Sequence, residues 1–491
     1  MFEHRIFIKR IALVAITKFF TSFRGLILLP FLTKAIGAAG YGIWSQILIT
    51  VGLLTPFIML NLTAAAIRFL PAEKDNKKVA KGIFTVIFAT LFVSIFFALV
   101  LFLFSDSFAN ILLREPSASF FIKLTSVLLI LEALSQISLE SFRIFGQIKK
   151  YSILTILQTI LETGLVAVLV SSDFGLFGAL VALLLVRIII LSFSLHSIIS
   201  HIGFAAPDFS VLRLYLTFGL PFLPMGLFDT LINSSDRYII GFFKGAAAVG
   251  IYSATYSIGL LAVVFIFPIA YILSPTIFKF FDEGQIDKVK IYLSYSLKYF
   301  LLFSIPSVFG LTILAKTILK TLATSEFVLS NSMFIVMWVA LSSIFYGAQA
   351  IYGQVIMIQK KTIFFIFAFG VGMAANLILN IIFVPYFGVL AAAVNTVIAY
   401  FIVALLIYIK SIQYIKFKVN FLFIIKSILA SLIMSIAIYF VDSVGLVKIL
   451  LTVIGGAAVY FVVLFLLRAF TLEEIKIFFS VFKTNNFYEK Y

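Results

Sequence analysis

Fourteen long apolar runs occupy almost the whole of the 491-residue chain. Each is about as long as the roughly 20 residues that an α-helix needs to cross a bilayer. The runs are continuous rather than alternating, which favours helices over a membrane β-barrel. Their approximate bounds are 11–36, 43–67, 82–104, 119–141, 153–170, 176–199, 213–235, 249–273, 294–316, 332–357, 361–383, 388–409, 421–441 and 445–468. The sequence therefore predicts an all-α polytopic membrane protein with 14 transmembrane helices.

Composition excludes a soluble fold and several kinds of chemistry. Hydrophobic residues make up 63% of the chain and charged residues 12%, whereas soluble domains are about half apolar and about a quarter charged. The chain has no cysteine and three histidines without ligand spacing, so we expect no metal and no cofactor. It also lacks nucleotide-binding and hydrolase motifs. These features favour a transporter over an enzyme, driven by a coupling ion (H⁺ or Na⁺) or by the substrate gradient.

The basic residues predict an orientation in the membrane. The net charge is +17, and with the N-terminus inside, 24 of the 37 Lys and Arg residues fall in cytoplasmic segments and six in outer loops. The six are Lys34, Arg114, Arg237, Lys244, Lys316 and Lys320. This bias follows the positive-inside rule. It predicts that both termini are cytoplasmic, and it accounts for the positive charge without nucleic acid as a partner.

A repeated motif divides the chain into two related halves. Residues 37–45 read GAAGYGIWS and residues 245–253 read GAAAVGIYS. A Lys-Lys pair at 149–150 and 360–361, and a Phe-Gly pair at 174–175 and 387–388, recur at nearly the same offset. Six spans separate the copies, so the sequence predicts two parallel six-helix repeats (helices 1–6 and 7–12), with a binding site between them.

The repeat also predicts domain bounds. Residues 1–205 and 206–412 would form the N-terminal and C-terminal six-helix bundles, and 413–491 two additional helices with a cytoplasmic tail. The repeated glycines are expected to form tight outer turns, because such turns need the positive φ that glycine allows.

Charged residues within a predicted span are costly and are functional candidates for that reason. On the first span, Lys18 and Arg24 share one polar face, which must meet a water-filled cavity or a buried counter-ion. Arg187 lies centrally in the sixth span. Glu132 and Glu162 are candidates for ion coupling, because a buried carboxyl can exchange protons. The alternative is a structural ion pair, for example between Glu162 and Arg187.

The seventh span combines acidic residues with prolines. Asp229 and Asp236 lie on one narrow stripe, with Arg237 beside it. Pro221 and Pro224 are expected to kink this helix and to free backbone carbonyls. The pattern predicts a gating or ion-coupling element, with a cap at the outer helix end as the alternative.

Three further lysines lie near the ends of predicted spans: Lys123, Lys298 and Lys426. Their long side chains are expected to reach the membrane interface rather than to bind a ligand.

Two segments resemble a known family. Residues 32–44 (LTKAIGAAGYGIW) and residues 233–241 (NSSDRYIIG), followed by VGIYSATY at 249–256, are similar to the signature of polysaccharide biosynthesis membrane proteins. These are the O-antigen flippases of the Wzx type, within the MATE-like (MOP) superfamily. Arg68 and the Phe387-Gly388 pair also match, and the resemblance extends over nearly the whole chain.

The resemblance implies a bacterial inner-membrane flippase that works by alternating access. Its substrate would be an undecaprenyl-pyrophosphate-linked oligosaccharide for O-antigen or capsule-type polysaccharide, and a polymerase and a chain-length regulator would be partners alongside membrane lipids. Lys18, Arg24, Arg187 and Arg237 would form a cationic cavity for the pyrophosphate. Alternatives are a lipid II flippase, a cation-coupled multidrug exporter of the MATE type, which the basic residues disfavour, and a glycan polymerase, which the short outer loops disfavour.

Overall fold

The described part of the chain is built of α-helices joined by short turns. The computed structural model describes residues 17, 20–73, 75–441, 443–470 and 474. Its helices are α1 (Arg24–Met59), α2 (Leu62–Phe69), α3 (Asn76–Leu103), α4 (Ser105–Phe108), α5 (Ala118–Ile144), α6 (Ile148–Leu169), α7 (Gly175–Ile202), α8 (Leu212–Gly219), α9 (Leu223–Lys244), α10 (Ala246–Gly259), α11 (Ile266–Asp282), α12 (Ile286–Leu322), α13 (Ser332–Ile358), α14 (Ile363–Ser411), α15 (Phe421–Tyr439) and α16 (Leu446–Leu466).

The number of membrane-spanning helices agrees with the sequence. Among the described residues, ten helical stretches are long and apolar enough to cross a membrane, and a bent pair makes eleven. Three stretches, Phe20–Met59, Ile148–Ile202 and Ile363–Ser411, are 40, 55 and 49 residues long, and each folds back on itself once. Counting both arms of these three raises eleven to the predicted 14. The prediction of an all-α polytopic membrane protein is confirmed.

A glycine with positive φ lies at each reversal. Gly37, Gly175 and Gly388 have φ values of 63°, 53° and 61°, which glycine adopts without steric cost. The reversal at Gly388 is plain from one hydrogen bond, in which Asn395 Nδ2 donates to Asn380 Oδ1 at 3.1 Å. Residues 15 apart in a continuous helix would be separated by about 22 Å. The backbone of α14 therefore forms a helical hairpin.

The two copies of the repeated motif contact each other reciprocally. A Cβ placed on Gly42 would overlap the carbonyl oxygen of Ala246, and a Cβ on Gly250 would overlap that of Ala38. Gly42 corresponds to Gly250 and Ala38 to Ala246 in the repeat, so the two contacts are the same contact with the roles exchanged. This is the arrangement that a local two-fold axis between α1 and α10 requires.

Other members of the motif follow the same symmetry. Ser45 and Ser253, which are also equivalent, share a hydrogen bond of 2.7 Å between their hydroxyl oxygens. Gly245 has a φ of 82°, as expected from its equivalent Gly37. These contacts support parallel halves, while the bounds at 205 and 412 stay predictions.

The seventh span is bent where its prolines lie. The stretches Phe209–Gly219 and Leu223–Lys244 meet at an angle of 59°. Pro221 lies in the 3₁₀ turn between them, and Pro224 is the second residue of α9. Because proline lacks an N–H and obstructs the preceding turn, the helix breaks here. The predicted kink is confirmed.

The last two helices pack against α12. The hydroxyl of Tyr460 on α16 donates to the carbonyl of Leu302 on α12 at 2.9 Å. Ser427 on α15 lies 2.8 Å from the same hydroxyl. One buried phenol thus joins the two additional helices to the second half.

Lys298 on α12 forms a second connection, to the segment that follows α16. The prediction that its side chain reaches the membrane interface is wrong. Its Nζ lies 2.6 Å and 2.8 Å from the carboxylate oxygens of Glu474, and both side chains are buried. The ammonium also lies 5.0 Å from the ring centroid of Phe423. A carboxylate beyond α16 satisfies this lysine inside the protein, whereas Lys123 and Lys426 remain partly exposed.

Candidate transport cavity

A cavity of about 780 Å³, called the central cavity below, lies between the two halves. Both halves contribute to its wall, with lining residues from 21–159 and from 233–400. Six aromatic residues line it: Tyr41, Trp44, Tyr256, Phe267, Tyr346 and Tyr400. Hydroxyl and amide side chains fill the spaces between them, among them Ser45, Gln158, Asn233, Ser253, Ser257 and Ser342. Of the described residues in this wall, Arg24 and Arg237 are charged.

A second cavity of about 990 Å³ continues from the first. The two share Arg24 and Leu48. Along α1, the first cavity is lined by Tyr41 and Leu48 and the second by Leu48 and Met59. The second cavity also contains Arg143, at the end of the fourth predicted span that is expected to face the cytoplasm. The two cavities thus extend from the middle of the protein toward that side.

The opposite end of the central cavity is closed. Around Tyr41, α1 and α10 make their close backbone contacts, between Gly42 and Ala246 and between Ala38 and Gly250. The ring of Tyr41 packs edge-on against Phe327, with centroids 5.9 Å apart. The hydroxyl of Thr33 donates to the carbonyl of Leu322 at 3.3 Å. Backbone, aromatic and polar contacts from both halves therefore form a seal at the end that the sequence predicts to be outer.

Four charged side chains form one network in the first half. Arg24 and Arg187 both donate from Nη1 to the carboxylate of Glu162, and Arg187 Nε donates to Glu132. Gln158 Nε2 donates to Glu162 Oε1 at 3.0 Å. Arg24 and Glu132, at the two ends of the network, are partly exposed at 28% and 21% of their side chains, whereas Arg187 and Glu162 are buried. The predicted pair of Glu162 and Arg187 is confirmed, and Arg24 has both a cavity and a counter-ion.

Arg237 and Asp236 form a buried pair at the wall of the central cavity. Arg237 Nη1 donates to Asp236 Oδ1 at 2.9 Å. The guanidinium carbon lies 3.8 Å from the ring centroid of Tyr256 and 5.2 Å from that of Tyr252. Tyr252 donates to Asp236 Oδ2 at 2.6 Å. Arg237 Nε has no hydrogen-bond partner among the described residues, so one donor of this guanidinium is unused.

Asp229 lies one turn further from the seal than Asn233. Its carboxylate accepts a hydrogen bond from the hydroxyl of Tyr400 at 3.1 Å. In the part of the chain that the structure describes, no Lys or Arg nitrogen lies within 4 Å of it, unlike the carboxylates of Glu132, Glu162 and Asp236. Among the predicted coupling residues, Asp229 is thus the one without an arginine partner.

The predicted substrate-binding residues fall in different places. The structure brings Arg24 and Arg237 to the central cavity and Arg187 to the second. Lys18 lies outside the described residues. Each of the three arginines contacts a carboxylate, which the sequence left open as an alternative for all three. Their role in binding substrate stays a prediction.

Sequence reasoning missed two features near the cavity. One is the set of aromatic and hydroxyl side chains in the wall, although Tyr41, Trp44 and Ser45 belong to the repeated motif. The other is a chain of buried hydrogen bonds behind α9, from Ser235 to Asn376 at 3.0 Å and on through Asn380. Asn376 and Asn380 are polar residues within the otherwise apolar helical hairpin α14, and this was the sequence signal for the hydrogen bonds.

A polar cavity between two related helical halves, closed at one end, is the architecture of an alternating-access transporter. A profile of the polysaccharide biosynthesis protein family matches residues 7–281. The chain belongs to this family, since the match covers more than half of its length.

Solved structures share the fold over nearly the whole chain. The lipid II flippase MurJ in an inward closed conformation matches with a TM-score of 0.74 and 18% identity, over 93% of this chain and 98% of that one. An inward-facing multidrug resistance transporter of the MATE family, in the MOP superfamily, matches with a TM-score of 0.65 and 15% identity, over 81% and 94%. Both structures therefore have the same fold as this chain.

One curated relative is similar in sequence over a limited region. It is the probable low-salt glycan biosynthesis flippase Agl15 from Haloferax volcanii, 25% identical over 185 residues. The match covers 37% of this chain and 39% of the relative, which is less than half of either protein.

Proposed function

We propose that the protein is a flippase that moves an undecaprenyl-pyrophosphate-linked oligosaccharide repeat unit across the bacterial inner membrane, for O-antigen or capsule-type polysaccharide. The observation that carries the proposal is the central cavity, whose wall combines two arginines with aromatic and hydroxyl side chains. Arginine N–H groups match phosphate oxygens in geometry and charge, and hydroxyl and amide groups match those of sugars. Membership in the polysaccharide biosynthesis family and the flippases among its relatives support this function.

Arg24 is the better placed of the two arginines for binding the pyrophosphate. Its Nη1 contacts Glu162, and its other N–H groups have no partner among the described residues. Over a quarter of its side chain is exposed, at the point where the two cavities meet. A pyrophosphate entering from the second cavity would reach Arg24 first and Arg237 at the far wall next, while the polyprenyl tail stays among the lipids.

Alternating access requires the seal to open and the other side to close. The contacts at the seal join the two halves and contain no covalent link, so a rotation of the halves about their local axis would separate them. With the predicted topology, the structure is the form that accepts substrate from the cytoplasm. A polymerase that extends the glycan would act on the released product outside.

Ion coupling is a further part of the proposal. Glu132 and Glu162 are neutralised by arginines, whereas no Lys or Arg that the structure describes pairs with Asp229. This carboxylate lies on α9, which follows the proline bend, next to the cavity residue Tyr400. Asp229 is therefore the carboxylate best suited to bind H⁺ or Na⁺ during a transport cycle. The prolines at its cytoplasmic end would allow α9 to bend as the ion binds.

A gene deletion tests the function directly. Deletion should cause a lipid-linked repeat unit to accumulate in the inner leaflet, with loss of the surface glycan, and the cloned gene should restore both. Unchanged glycan together with increased sensitivity to cationic dyes would contradict the proposal and favour a multidrug exporter instead.

Complementation with variants tests the role of Arg24. Arg24→Ala should restore less than about a tenth of the glycan at equal protein level, because a charge-assisted contact to phosphate is lost. Lys279→Ala is the control, since that side chain is 72% exposed and lies outside both cavities. Equal complementation by the two variants would remove Arg24 from the binding site.

A further inference from the structure

The charges around the two cavities are balanced among the described residues. Four arginines line their walls, and each contacts a carboxylate. Arg24 and Arg187 share Glu162 and Glu132. The remaining two pairs are Arg143 with Glu140 at 2.6 Å and Arg237 with Asp236 at 2.9 Å.

Asp229 makes the net charge of the described residues around the two cavities negative. It lies against Tyr400 of the central wall and adds a carboxylate that no described arginine neutralises. An anion brought into the cavity would meet no uncompensated cation among the described residues. To gain one, it would have to displace a carboxylate, and leaving a charge unpaired in a buried site is costly.

One anionic group can still be accommodated, because the guanidinium of Arg24 has donors to spare. Among the described residues Arg24 donates from Nη1 alone, and 28% of its side chain is exposed, whereas the unpartnered Nε of Arg237 is buried. These donors suit a single pyrophosphate. The rest of the central wall offers hydroxyls, amides and aromatic rings, and such rings combine an apolar face with polar groups nearby. That is the chemistry of an uncharged sugar, which has hydroxyl edges and apolar C–H faces.

We infer that the glycan carried by this protein consists of neutral sugars, so that the pyrophosphate is the one anionic group of its substrate. The inference rests on the proposed function and narrows its substrate class. Phe267 and Tyr346, the two rings of the central wall that are not buried, would pack against the sugar rings, and the serines of both halves would bind their hydroxyls.

Transport by the purified full-length protein in lipid vesicles tests the inference. Two undecaprenyl-pyrophosphate trisaccharides would be compared that differ only in one sugar, a hexose in the first and a hexuronic acid in the second. Exposure of each glycan at the far leaflet would be followed with a membrane-impermeant glycosidase.

The neutral substrate should cross at least about ten times faster, corresponding to a modest difference in binding free energy. An equal or faster rate for the uronic acid substrate would overturn the inference and leave the flippase function standing. Movement of neither substrate would refute the proposed function, and this inference with it.

A charge-adding variant supplies an independent test. Thr155 on α6 is half-buried in the central wall, so Thr155→Lys would place a cation beside the sugars. It should raise the rate for the acidic substrate relative to the neutral one by several-fold. Thr155→Gln, of similar length and uncharged, should leave the ratio unchanged. The same ratio in both variants, each still moving the neutral substrate, would contradict the inference.

Discussion

At the scale of single residues, the buried carboxylate of Glu162 has three side-chain partners. Its carboxylate contacts Arg24 and Arg187 and accepts a hydrogen bond from Gln158, while its own side chain is 1% exposed. Glu162→Gln would leave Arg24 without its carboxylate and Arg187 with only Glu132. Removing one partner from a buried ion pair costs about 3 kcal/mol. We therefore expect a clearly lower thermal unfolding temperature in detergent, measured by loss of the monodisperse protein on heating.

The control for this variant is Glu140→Gln. Glu140 pairs with Arg143, whose side chain is 47% exposed, and exposed pairs contribute about 1 kcal/mol or less. If both variants lowered the unfolding temperature equally, the network around Glu162 would have no special role in stability.

The sequence predicted part of this network for a physical reason. Glu162 and Arg187 lie on consecutive spans joined by a tight turn, so their contact follows from connectivity and depth. The contacts of Arg24 and Glu132 depend on which helix faces meet across the bundle. Local hydrophobicity carries no information on that choice, and neither does the position of a charge along its own span.

At the scale of helices, the close contact between α1 and α10 depends on the lack of a side chain at Gly42 and Gly250. Gly42→Ala would place a methyl group on the carbonyl of Ala246, a backbone atom that cannot turn aside. The seal should then close poorly. A cysteine in place of Ser257, in the central wall, should react several-fold faster with an impermeant maleimide added from the outside.

Gly164→Ala provides the matched control, because no atom lies within 4 Å of where its Cβ would be. That variant should label at the rate of the parent. Equal labelling of Gly42→Ala and Gly164→Ala would show that the contact between α1 and α10 does not control access.

The turns were more predictable than the contacts between helices. A positive φ is a property of one residue, so the glycines of the repeated motif indicated the turns at Gly37 and Gly245 from sequence alone. Pro221 indicated the bend in the seventh span in the same way. The connection of Lys298 to Glu474 was not predictable, because it joins a helix to a segment 176 residues later.

For the molecule as a whole, the repeat gives a means of stopping the transport cycle. Ser45 and Ser253 are equivalent residues on the two halves, and their hydroxyl oxygens lie 2.7 Å apart beside the seal. The chain contains no cysteine, so the double variant Ser45→Cys/Ser253→Cys would carry the only two thiols. Oxidation should join the halves by a disulfide and hold the seal closed, because the two side chains already meet.

Transport in vesicles should therefore cease on oxidation and return on reduction. Each single variant should transport equally under both conditions, which separates the cross-link from any effect of the substitutions. Full transport by the cross-linked protein, with the disulfide verified by its mobility on a non-reducing gel, would show that the halves need not separate at this point. The seal between α1 and α10 would then be a permanent joint, and substrate would have to leave by another route.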